Sequence, residues 1–417
     1  MRIIQLTPTV ERRLLRARQE HDAEAQRIAS EIIRDVRRSG DTALSAWVKK
    51  LDGVDLQRES LWISKEEIRD ARKQVSREFL HAVEHAARNV RRVAEKQLPK
   101  PWTMEVEPGV KIGQVVRPID SIGCYIPGGR FALVSTLVMT VVPAKVAGVG
   151  HIQIACPRPN AALLAVAGVL GVARITRMGG AQAIAALAYG TKRVPRVDKI
   201  FGPGNRFVTS AKQLVSSDCA IDLPAGPTEA IVLAVHGNPC WIAADLLAQA
   251  EHAPDAGSFL VTTSDHLARQ VQAEVARQLK QLPATSPAHI SMKRAGAILV
   301  TPSLHDACEF VNRFAPEHLS LPGDGEALLK RMHAMGTVFL GPWGAQPLGD
   351  YASGSNHVLP TGGWARKRAG LSVADFVKCI SVQIISRNGF LRLADTVETL
   401  AESEGLMAHR NAVRIRR

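Results

Sequence analysis

The sequence has no long apolar run. Its longest apolar stretch, Ala161–Val172, is too short to span about 30 Å of hydrocarbon. The N-terminal residues become charged before any apolar segment develops, so we also expect no secretory signal. These two absences predict a cytoplasmic protein with no membrane partner.

Cysteine is sparse, and no CxxC pair occurs. The six cysteines are scattered at Cys124, Cys156, Cys219, Cys240, Cys308 and Cys379. This distribution fits reduced thiols in a cytosolic enzyme better than a disulfide framework, and we assign none of them a catalytic role.

A GxGxxG motif after a strand is also missing, so the pattern does not by itself indicate NAD. Three turns, Gly128-Gly129, Gly179-Gly180 and Gly202-Pro203-Gly204, could expose backbone N–H groups to a phosphate. Plain tight turns are the more common explanation of such glycines.

The composition is that of a globular protein, with 46% hydrophobic and 22% charged residues. A length of 417 residues suggests two or more domains. The formal net charge of +14 is spread over amphipathic segments in which Lys and Arg alternate with Asp and Glu. Because the basic residues do not cluster, we expect no nucleic-acid partner.

The apolar pattern predicts helices first and an alternating α/β region afterwards. Residues 10–38 show helical spacing with Gly40 as the stop, and a capping box at Ser64 and Glu67 opens a long helix to about Gln97. From Val110 onward, strands, turns and helices alternate as in a parallel sheet. In such a fold the strand-to-helix turns share one edge, where open α/β folds bind ligands.

Two pairs of polar residues suggest chemistry. Gln249 and His252 stand three apart in a predicted helix, which would put an amide and an imidazole on one face. Glu317 and His318 are adjacent groups able to move protons near neutral pH. In both cases a hydrogen-bonded structural pair is the more common explanation.

Two further pairs lie nearer the C-terminus. Asp350 and His357 fall in a polar, glycine-rich loop, and such loops often carry function, although Asp also serves as a turn residue. Glu404 and His409 stand near the end of a predicted helical tail, where alone they would be capping or solvated groups.

Eight motifs in a fixed order resemble a known family over nearly the whole chain. They are CYIPGG (124–129), GGAQAIAALAYGT (179–191), KIFGPGNRFVTSAKQ (199–213), LPAGPTE (223–229), DLLAQAEH (245–252), FAPEHL (314–319), GDYASGSNHVLPTGG (349–363) and EGLMAH (404–409). On these motifs the chain resembles the histidinol dehydrogenases, zinc enzymes of histidine biosynthesis. Thr228 stands where this family usually has Ser, and Ser355 where it usually has Thr.

The resemblance implies a four-electron oxidation of L-histidinol through L-histidinal to L-histidine, using two NAD⁺ in succession. By similarity His318 would be the general base, and Glu317 would activate the water that hydrates the aldehyde. The residues that match the family's zinc ligands, one Zn²⁺ per subunit, are Gln249, His252, Asp350 and His409. Oxygen and nitrogen donors of this kind suit zinc.

The resemblance also assigns contacts to the substrate and to the cofactor. The matches to substrate contacts are Thr228, Gln249, His252, His318, Asp350, His357, Glu404 and His409. The matches to NAD contacts are Tyr125, Gln182 and Asn205, which lie in or next to the glycine turns named above.

The fold that the resemblance implies is α/β, with two incomplete Rossmann-like domains that have parallel-sheet cores. We expect an N-terminal helical arm (1–20), one domain from 21–122 and 229–371, an NAD-binding domain (123–228) and a C-terminal helical tail (372–417). Family members form intertwined homodimers, so His409 is expected to complete the metal site of the partner subunit.

Two alternatives stay open at this point. A family relative could oxidise another small polar alcohol, such as a dihydroxypropanesulfonate, although Glu404 argues against an anionic substrate. A basic nucleic-acid or scaffold protein that has kept an enzyme fold is the alternative from another class. The dispersed charge disfavours it.

Overall fold

Residues 1–18, 22–128, 133–223, 226–323 and 325–417 are described by a computed structural model of the chain. Its strands are β1 (Arg2–Gln5), β2 (Trp102–Glu107), β3 (Val110–Pro118), β4 (Ser121–Tyr125), β5 (His151–Ala155), β6 (Ile175–Thr176), β7 (Lys199–Phe201), β8 (Ala220–Ile221), β9 (Glu229–Leu233), β10 (Gly257–Thr262), β11 (Gly296–Val300), β12 (His318–Leu321), β13 (Thr337–Leu340) and β14 (Val377–Ile385).

The helices surround these strands. They are α1 (Pro8–Ala17), α2 (Ala23–Trp47), α3 (Lys65–Arg72), α4 (Arg77–Gln97), α5 (Val134–Ala147), α6 (Ala161–Val169), α7 (Gly180–Tyr189), α8 (Arg206–Val215), α9 (Pro239–Ala250), α10 (Asp265–Leu279), α11 (Ala288–Arg294), α12 (Leu304–Phe314), α13 (Gly325–Leu329), α14 (Gln346–Tyr351), α15 (Arg387–Ser403) and α16 (Met407–Arg414). A π-helical turn (Val48–Asp52) and two 3₁₀ turns (Trp364–Arg366 and Val373–Phe376) complete them. Among the helices of the described ranges, none is long and apolar enough to cross a membrane.

Two parallel sheets form the cores of the molecule. The six-stranded sheet has the order β1-β11-β10-β9-β12-β13, and the five-stranded sheet has the order β6-β5-β4-β7-β8. All their strand pairs are parallel, whereas β14, β3 and β2 form a separate antiparallel sheet. The α/β class with parallel-sheet cores is therefore confirmed, while the Rossmann-like description stays a prediction.

The N-terminal segment differs from the predicted helical arm 1–20. Residues Arg2–Gln5 form an edge strand in register with 297–300 of β11, because their apolar side chains extend the sheet. The predicted helix 10–38 is two helices, since Asp22 caps the start of α2 by accepting from the N–H of Ala25. Gly40 ends the first helical run of α2 as predicted, since its φ of 50° and ψ of −127° are not helical, and a second helical run continues beyond this kink to Trp47.

The long helix expected from Ser64 to Gln97 is also divided. The capping box is confirmed, because Ser64 and Glu67 exchange side-chain to backbone hydrogen bonds. The helix stops at Arg72, and Ser76 caps a new helix by accepting from the N–H of Phe79.

Helices α2, α3 and α4 pack on the helices α5 to α8, which connect the strands of the five-stranded sheet. Helix α2 contacts α7 and α8, α3 contacts α6, and α4 contacts α5. Their apolar faces share buried clusters with residues of 122–201. The domain boundaries themselves stay a prediction.

The antiparallel sheet and the C-terminal helices expose an unusual number of large apolar side chains. Those with more than a third of their surface exposed include Trp102, Met104, Val106, Ile380, Ile384, Leu391, Val397, Leu400, Leu406, Met407 and Ile415. The ion pairs formed by the tail helices join Arg residues of 410–417 to acidic residues of 395–402. The tail thus packs as a helix pair on the outside of a single chain.

We predict that Gly40→Ala lowers the free energy of unfolding by about 1–3 kcal/mol, because φ 50° with ψ −127° is strained for any residue with a Cβ atom. No neighbouring atom lies within 4 Å of the added methyl group, so the loss would reflect the backbone alone. Urea unfolding measures it. The control is Ser39→Ala, which should lose nothing; equal stability of the two variants would contradict the prediction.

Candidate functional site

The predicted acid–base pair lies at the amino end of a central strand. His318 begins β12, which runs between β9 and β13, so the strand buries both Glu317 and His318. Glu317 Oε2 accepts hydrogen bonds from the hydroxyl of Thr228 and, at 3.0 Å, from the N–H of Glu229. These two donors fix one oxygen of the Glu317 carboxylate.

His318 lies between two carboxylates without bonding to either. Its Nδ1 is 3.7 Å from Glu317 Oε2, and its Nε2 is 3.7 Å from Asp350 Oδ1. Both distances exceed hydrogen-bonding range, and both buried ring nitrogens are without a hydrogen-bond partner. Buried polar atoms are rarely left in this state, so the ring is placed to bond a group that enters the site.

The three groups perturb one another's protonation. Burial raises the pKa of Glu317 above its ordinary value. Burial alone would lower the pKa of His318, but the charges of Glu317 and Asp350 outweigh it and raise that pKa. Burial opposes the ionisation of Asp350, yet His318 holds the pKa of this carboxyl below its usual range. The arrangement therefore supports proton transfer by an imidazole with a neighbouring carboxyl.

Gln249 reaches this cluster from the last turn of α9 and is completely buried. Its Nε2 donates to Thr228 Oγ1 at 2.9 Å, and its Oε1 accepts from Gln346 Nε2 at 2.6 Å. One hydroxyl, that of Thr228, thus links Gln249 to Glu317. The sequence prediction had no signal for Gln346, which lies 97 residues away.

Two sequence predictions about the remaining candidates are wrong in detail. His252 does not share a helix face with Gln249, because α9 ends at Ala250 and the N–H of His252 bonds back to the carbonyl of Gln249 in a tight turn. Asp350 is not in a loop, because Gln346–Tyr351 forms the short helix α14. His252 nevertheless reaches the same cluster electrostatically, since its charge acts to lower the pKa of both Glu317 and Asp350.

His357 is already occupied at both nitrogens. Its Nδ1 lies 2.8 Å from the carbonyl oxygen of Asp350, so this nitrogen carries the proton, and its Nε2 lies 3.2 Å from Thr136 Oγ1. Burial lowers the pKa of His357 below its ordinary value, which keeps the ring neutral. Thr136 belongs to α5, so this contact joins the helix layer of the five-stranded sheet to the acid–base cluster.

The donors around Asp350 fit a zinc ion. Gln249 offers an amide oxygen, Asp350 a carboxylate and His252 an imidazole. His252 Nδ1 lies 3.1 Å from the carbonyl oxygen of Ala248, which leaves Nε2 for a ligand, the usual orientation of a metal-binding histidine. Within the described ranges, no group of three or more His, Cys, Asp or Glu side chains is placed to hold a metal.

The residues predicted to contact NAD lie at the carboxyl edge of the five-stranded sheet. Tyr125 ends β4 and its hydroxyl oxygen accepts from the N–H of Gly180 at 3.2 Å. Gln182 is buried, donates to Asp52 Oδ2 at 3.0 Å and leaves its Oε1 without a partner. Asn205 is exposed and caps α8. Asp52, which also binds the N–H of Gly179 at 2.9 Å, was missed by the sequence analysis.

Two of the three glycine turns require glycine at this edge, since Gly180 has φ 58° and a Cβ atom there would lie 2.6 Å from Gln182 Oε1. Gly202 has φ 109°, and a Cβ atom there would lie 2.1 Å from the carbonyl oxygen of Tyr125. Gly179 and Gly180 begin α7. In the third turn, a Cβ atom on Gly128 would lie 2.5 Å from Pro157 Cγ, and Gly129 lies outside the described residues.

Glu404 and His409 are not brought to the cluster by their own chain. Both are exposed: Glu404 at the end of α15, where Gly405 turns the chain, and His409 in α16. Their predicted roles at the site stay a prediction.

Comparison with known proteins identifies the family. The family model for histidinol dehydrogenase matches residues 15–417. The chain belongs to the histidinol dehydrogenase family. It is 45% identical over 398 residues to histidinol dehydrogenase of Aquifex aeolicus, covering 95% of this chain and 93% of that one. It is also 45% identical to the enzyme of Methanosarcina barkeri over 395 residues, 93% of this chain and 90% of that one.

A solved structure supports the same conclusion. The chain matches histidinol dehydrogenase from Elizabethkingia anophelis with a TM-score of 0.94 and 36% identity, covering all of this chain and 98% of that one. As a histidinol dehydrogenase family member, the chain is an oxidoreductase, and the matched range 15–417 contains each candidate residue described above.

We predict that Thr228→Val destabilises the protein by about 1–3 kcal/mol relative to Thr228→Ser, because only Ser keeps the hydroxyl that donates to the buried Glu317. Losing this donor raises the pKa of Glu317 further. A carboxyl whose pKa is raised on folding favours the folded state at low pH, and this stability is lost as the pH rises.

The difference between the two variants in urea unfolding should therefore grow as the pH rises above the ordinary titration range of a glutamate side chain. A difference that shrank with rising pH would mean that the Thr228 hydroxyl does not act on the carboxylate form of Glu317.

Proposed function

We propose that the chain oxidises L-histidinol to L-histidine through L-histidinal, with zinc and two NAD⁺ per turnover, as the last steps of histidine biosynthesis. The observation that carries this proposal is the buried His318 ring, which lies 3.7 Å from a carboxylate oxygen on each side and bonds to neither. Family membership supports the substrate, and a cytoplasmic location stays a prediction.

In the first oxidation, His318 would take the hydroxyl proton of the alcohol while hydride leaves its carbinol carbon for NAD⁺. The raised pKa of His318 suits this role, because the carboxylates of Glu317 and Asp350 stabilise the imidazolium that forms. The product of the step is the bound aldehyde.

In the second stage, Glu317 would accept a proton from the water that adds to the aldehyde. Thr228 and the Glu229 N–H hold Glu317 Oε2, so Oε1 is the atom that meets the water. As the water adds, the imidazolium of His318 would return its proton to the aldehyde oxygen, which gives a neutral hydrate and a neutral ring. The hydrate would then lose one hydroxyl proton to His318 and its hydride to the second NAD⁺, giving the carboxylic acid, which releases its remaining acidic proton to solvent as the carboxylate. Two adjacent proton acceptors therefore serve two stages in one pocket.

Gln249, His252, Asp350 and a donated His409 would hold the zinc ion. Zinc would orient the substrate through its imidazole and amine, a positional rather than a redox contribution. Asp350 would bind zinc and would also stabilise the charged form of His318, since its Oδ1 lies 3.7 Å from His318 Nε2.

Further contacts would place the substrate and the cofactor. Glu404 suits the ammonium group of histidinol, and His357 would exchange its bond with Thr136 for one to the substrate. Tyr125, Gln182 and Asn205 would contact NAD⁺ at the carboxyl edge of the five-stranded sheet. The buried Oε1 of Gln182, which bonds to no protein group, supports this assignment.

We propose an intertwined homodimer in which the tail of each chain completes the site of the other. Two features support it: the exposed Glu404 and His409, and the exposed apolar residues of the tail and of the antiparallel sheet. A dihydroxypropanesulfonate is disfavoured as the substrate. The matching family model and the Aquifex aeolicus relative are both histidinol dehydrogenases, and Glu404 would repel an anion.

Purified protein should form two NADH for each L-histidinol consumed, lose this activity on chelation and regain it with zinc. The reason is that both oxidations occur in one pocket whose substrate is held by the metal. NADH absorbance against substrate consumed measures the ratio. One NADH would contradict the role of Glu317, and turnover of a dihydroxypropanesulfonate in place of histidinol would contradict the substrate.

The donated ligand can be tested by mixing two inactive variants, His252→Ala and His409→Ala. In mixed dimers, one of the two sites combines an intact His252 with an intact His409 of the partner subunit. Random mixing of equal amounts should restore about a quarter of wild-type activity. Activity that stays absent in mixtures shown to contain mixed dimers would mean that His409 serves its own chain.

A further inference from the structure

A buried ion pair lies directly behind the acid–base residues. Arg18, the residue that caps the C-terminus of α1, inserts its guanidinium beneath the start of β9 and binds both carboxylate oxygens of Glu229. The Nε to Oε2 distance is 2.7 Å. The side chains of Arg18 and Glu229 are 12% and 6% exposed, so water screens this pair little.

The same guanidinium also holds the turn that leads into Glu317. Arg18 donates to the carbonyl oxygens of Phe314 and Ala315, and its Cζ lies 3.6 Å from the centre of the Phe314 ring. Ala315 has φ 52°, the one non-glycine residue with positive φ in the described chain. A left-handed alanine is strained, and such a conformation persists where its surroundings hold it.

Glu229 links the pair to the site on two further sides. Its Oε1 accepts from the N–H of Gly362 at 3.1 Å, and its own N–H donates to Glu317 Oε2 at 3.0 Å. One guanidinium and one carboxylate therefore join three segments: the strand that follows Thr228, the turn before Glu317, and the segment that follows His357.

Each of the two buried carboxylates in this cluster has a basic side chain beside it. Glu229 begins β9 and Glu317 directly precedes the neighbouring β12; both are buried, and the charge of Glu317 disfavours ionisation of Glu229. Arg18 faces Glu229, whereas His318 and the more distant His252 face Glu317. Burial raises the pKa of Glu229 to about 7 even with Arg18 present, so the carboxylate depends on this one cation.

We propose that Arg18 is a positioning residue for catalysis: through Glu229 and the 314–315 carbonyl groups, it holds Glu317 and His318 in their reactive arrangement. This inference rests on the proposed roles of those two residues. Arg18 itself contacts neither Glu317 nor His318. Its two hydrogen bonds to the Glu229 carboxylate depend on the planar shape of the guanidinium as well as on its charge.

A simpler role for Arg18 would be to hold α1 against α12. Arg313 provides a matched control for that role. Arg313 on α12 forms an ion pair with Glu11 on α1, so it anchors the same helix to the same neighbour. Arg313 is half-exposed and does not contact Glu229. Loss of Arg313 loosens α1, while loss of Arg18 also releases Glu229 and the 314–315 turn.

The kinetic test compares Arg18→Met, Arg18→Lys and Arg313→Met in the zinc-loaded, full-length enzyme. We expect Arg18→Met to lower kcat for L-histidinal oxidation about 100-fold, the usual effect of small misplacement of reacting groups, with the KM for NAD⁺ unchanged. Arg18→Lys should recover part of this loss, since it keeps the charge without the fork. Arg313→Met should retain the wild-type kcat. Equal losses in Arg18→Met and Arg313→Met would overturn the proposal, as would a wild-type kcat in Arg18→Met.

A crystal structure of Arg18→Met provides a readout that does not depend on the substrate. The proposal expects the 314–316 turn to relax and the Glu317 carboxylate and His318 ring to move by more than about 0.5 Å, the tolerance of a catalytic arrangement. Superposition of both side chains on the wild type would overturn it. If the wild-type enzyme failed to oxidise histidinol, the proposed function would fail, and this structural comparison would still decide the role of Arg18.

Discussion

Two carboxylates buried at the amino ends of neighbouring strands set the conditions for the rest of the site. The register of the six-stranded sheet pairs Ala230 of β9 with His318 of β12, so Glu229 and Glu317 precede adjacent paired positions. An ionised carboxylate in such a place is costly unless cations or hydrogen-bond donors compensate it. Arg18 supplies the compensation for Glu229, and Thr228, a backbone N–H and His318 supply it for Glu317.

This placement explains why the two halves of the candidate site come from opposite sheet edges. The predicted NAD contacts stand at the carboxyl edge of the five-stranded sheet, where an α/β fold offers turns for a ligand. The acid–base pair lies instead at the amino ends of strands in the six-stranded sheet, because His318 is the first residue of β12. Helix α9 runs back towards these strand ends and places Gln249 against Thr228. The two parts meet where Thr136 of α5 bonds His357, and where Asn356 donates to the carbonyl of Met139 at 2.8 Å.

The sequence could predict the features that depend on local pattern. Strand and helix alternation after Val110 predicts the parallel sheets, and the Ser64 capping box predicts a helix start. The same local signals misplace helix ends, because Asp22 and Ser76 resemble ordinary polar residues of a helix surface until the structure shows them as caps.

Long-range contacts leave no such trace in the sequence. Arg18 and Glu229 are 211 residues apart, and nothing in the spacing around either residue predicts a buried pair. Periodicity reports which face of an element is apolar, not which distant charge lies against it. The motif LPAGPTE draws attention to Glu229 only because Thr228 stands beside it, whereas no motif contains Arg18.

In the proposed dimer, the tail couples metal binding to association. Helices α15 and α16 hold each other through ion pairs such as Arg410 to Glu402, so they form a preassembled arm rather than a loose segment. Gly405, with φ 74°, turns the chain between them and leaves Glu404 and His409 exposed. A zinc ion that takes one ligand from this arm and three from the other chain binds the dimer and not the separated subunits. Such a ligand stabilises the state that it binds, so zinc would strengthen the association that creates its own site.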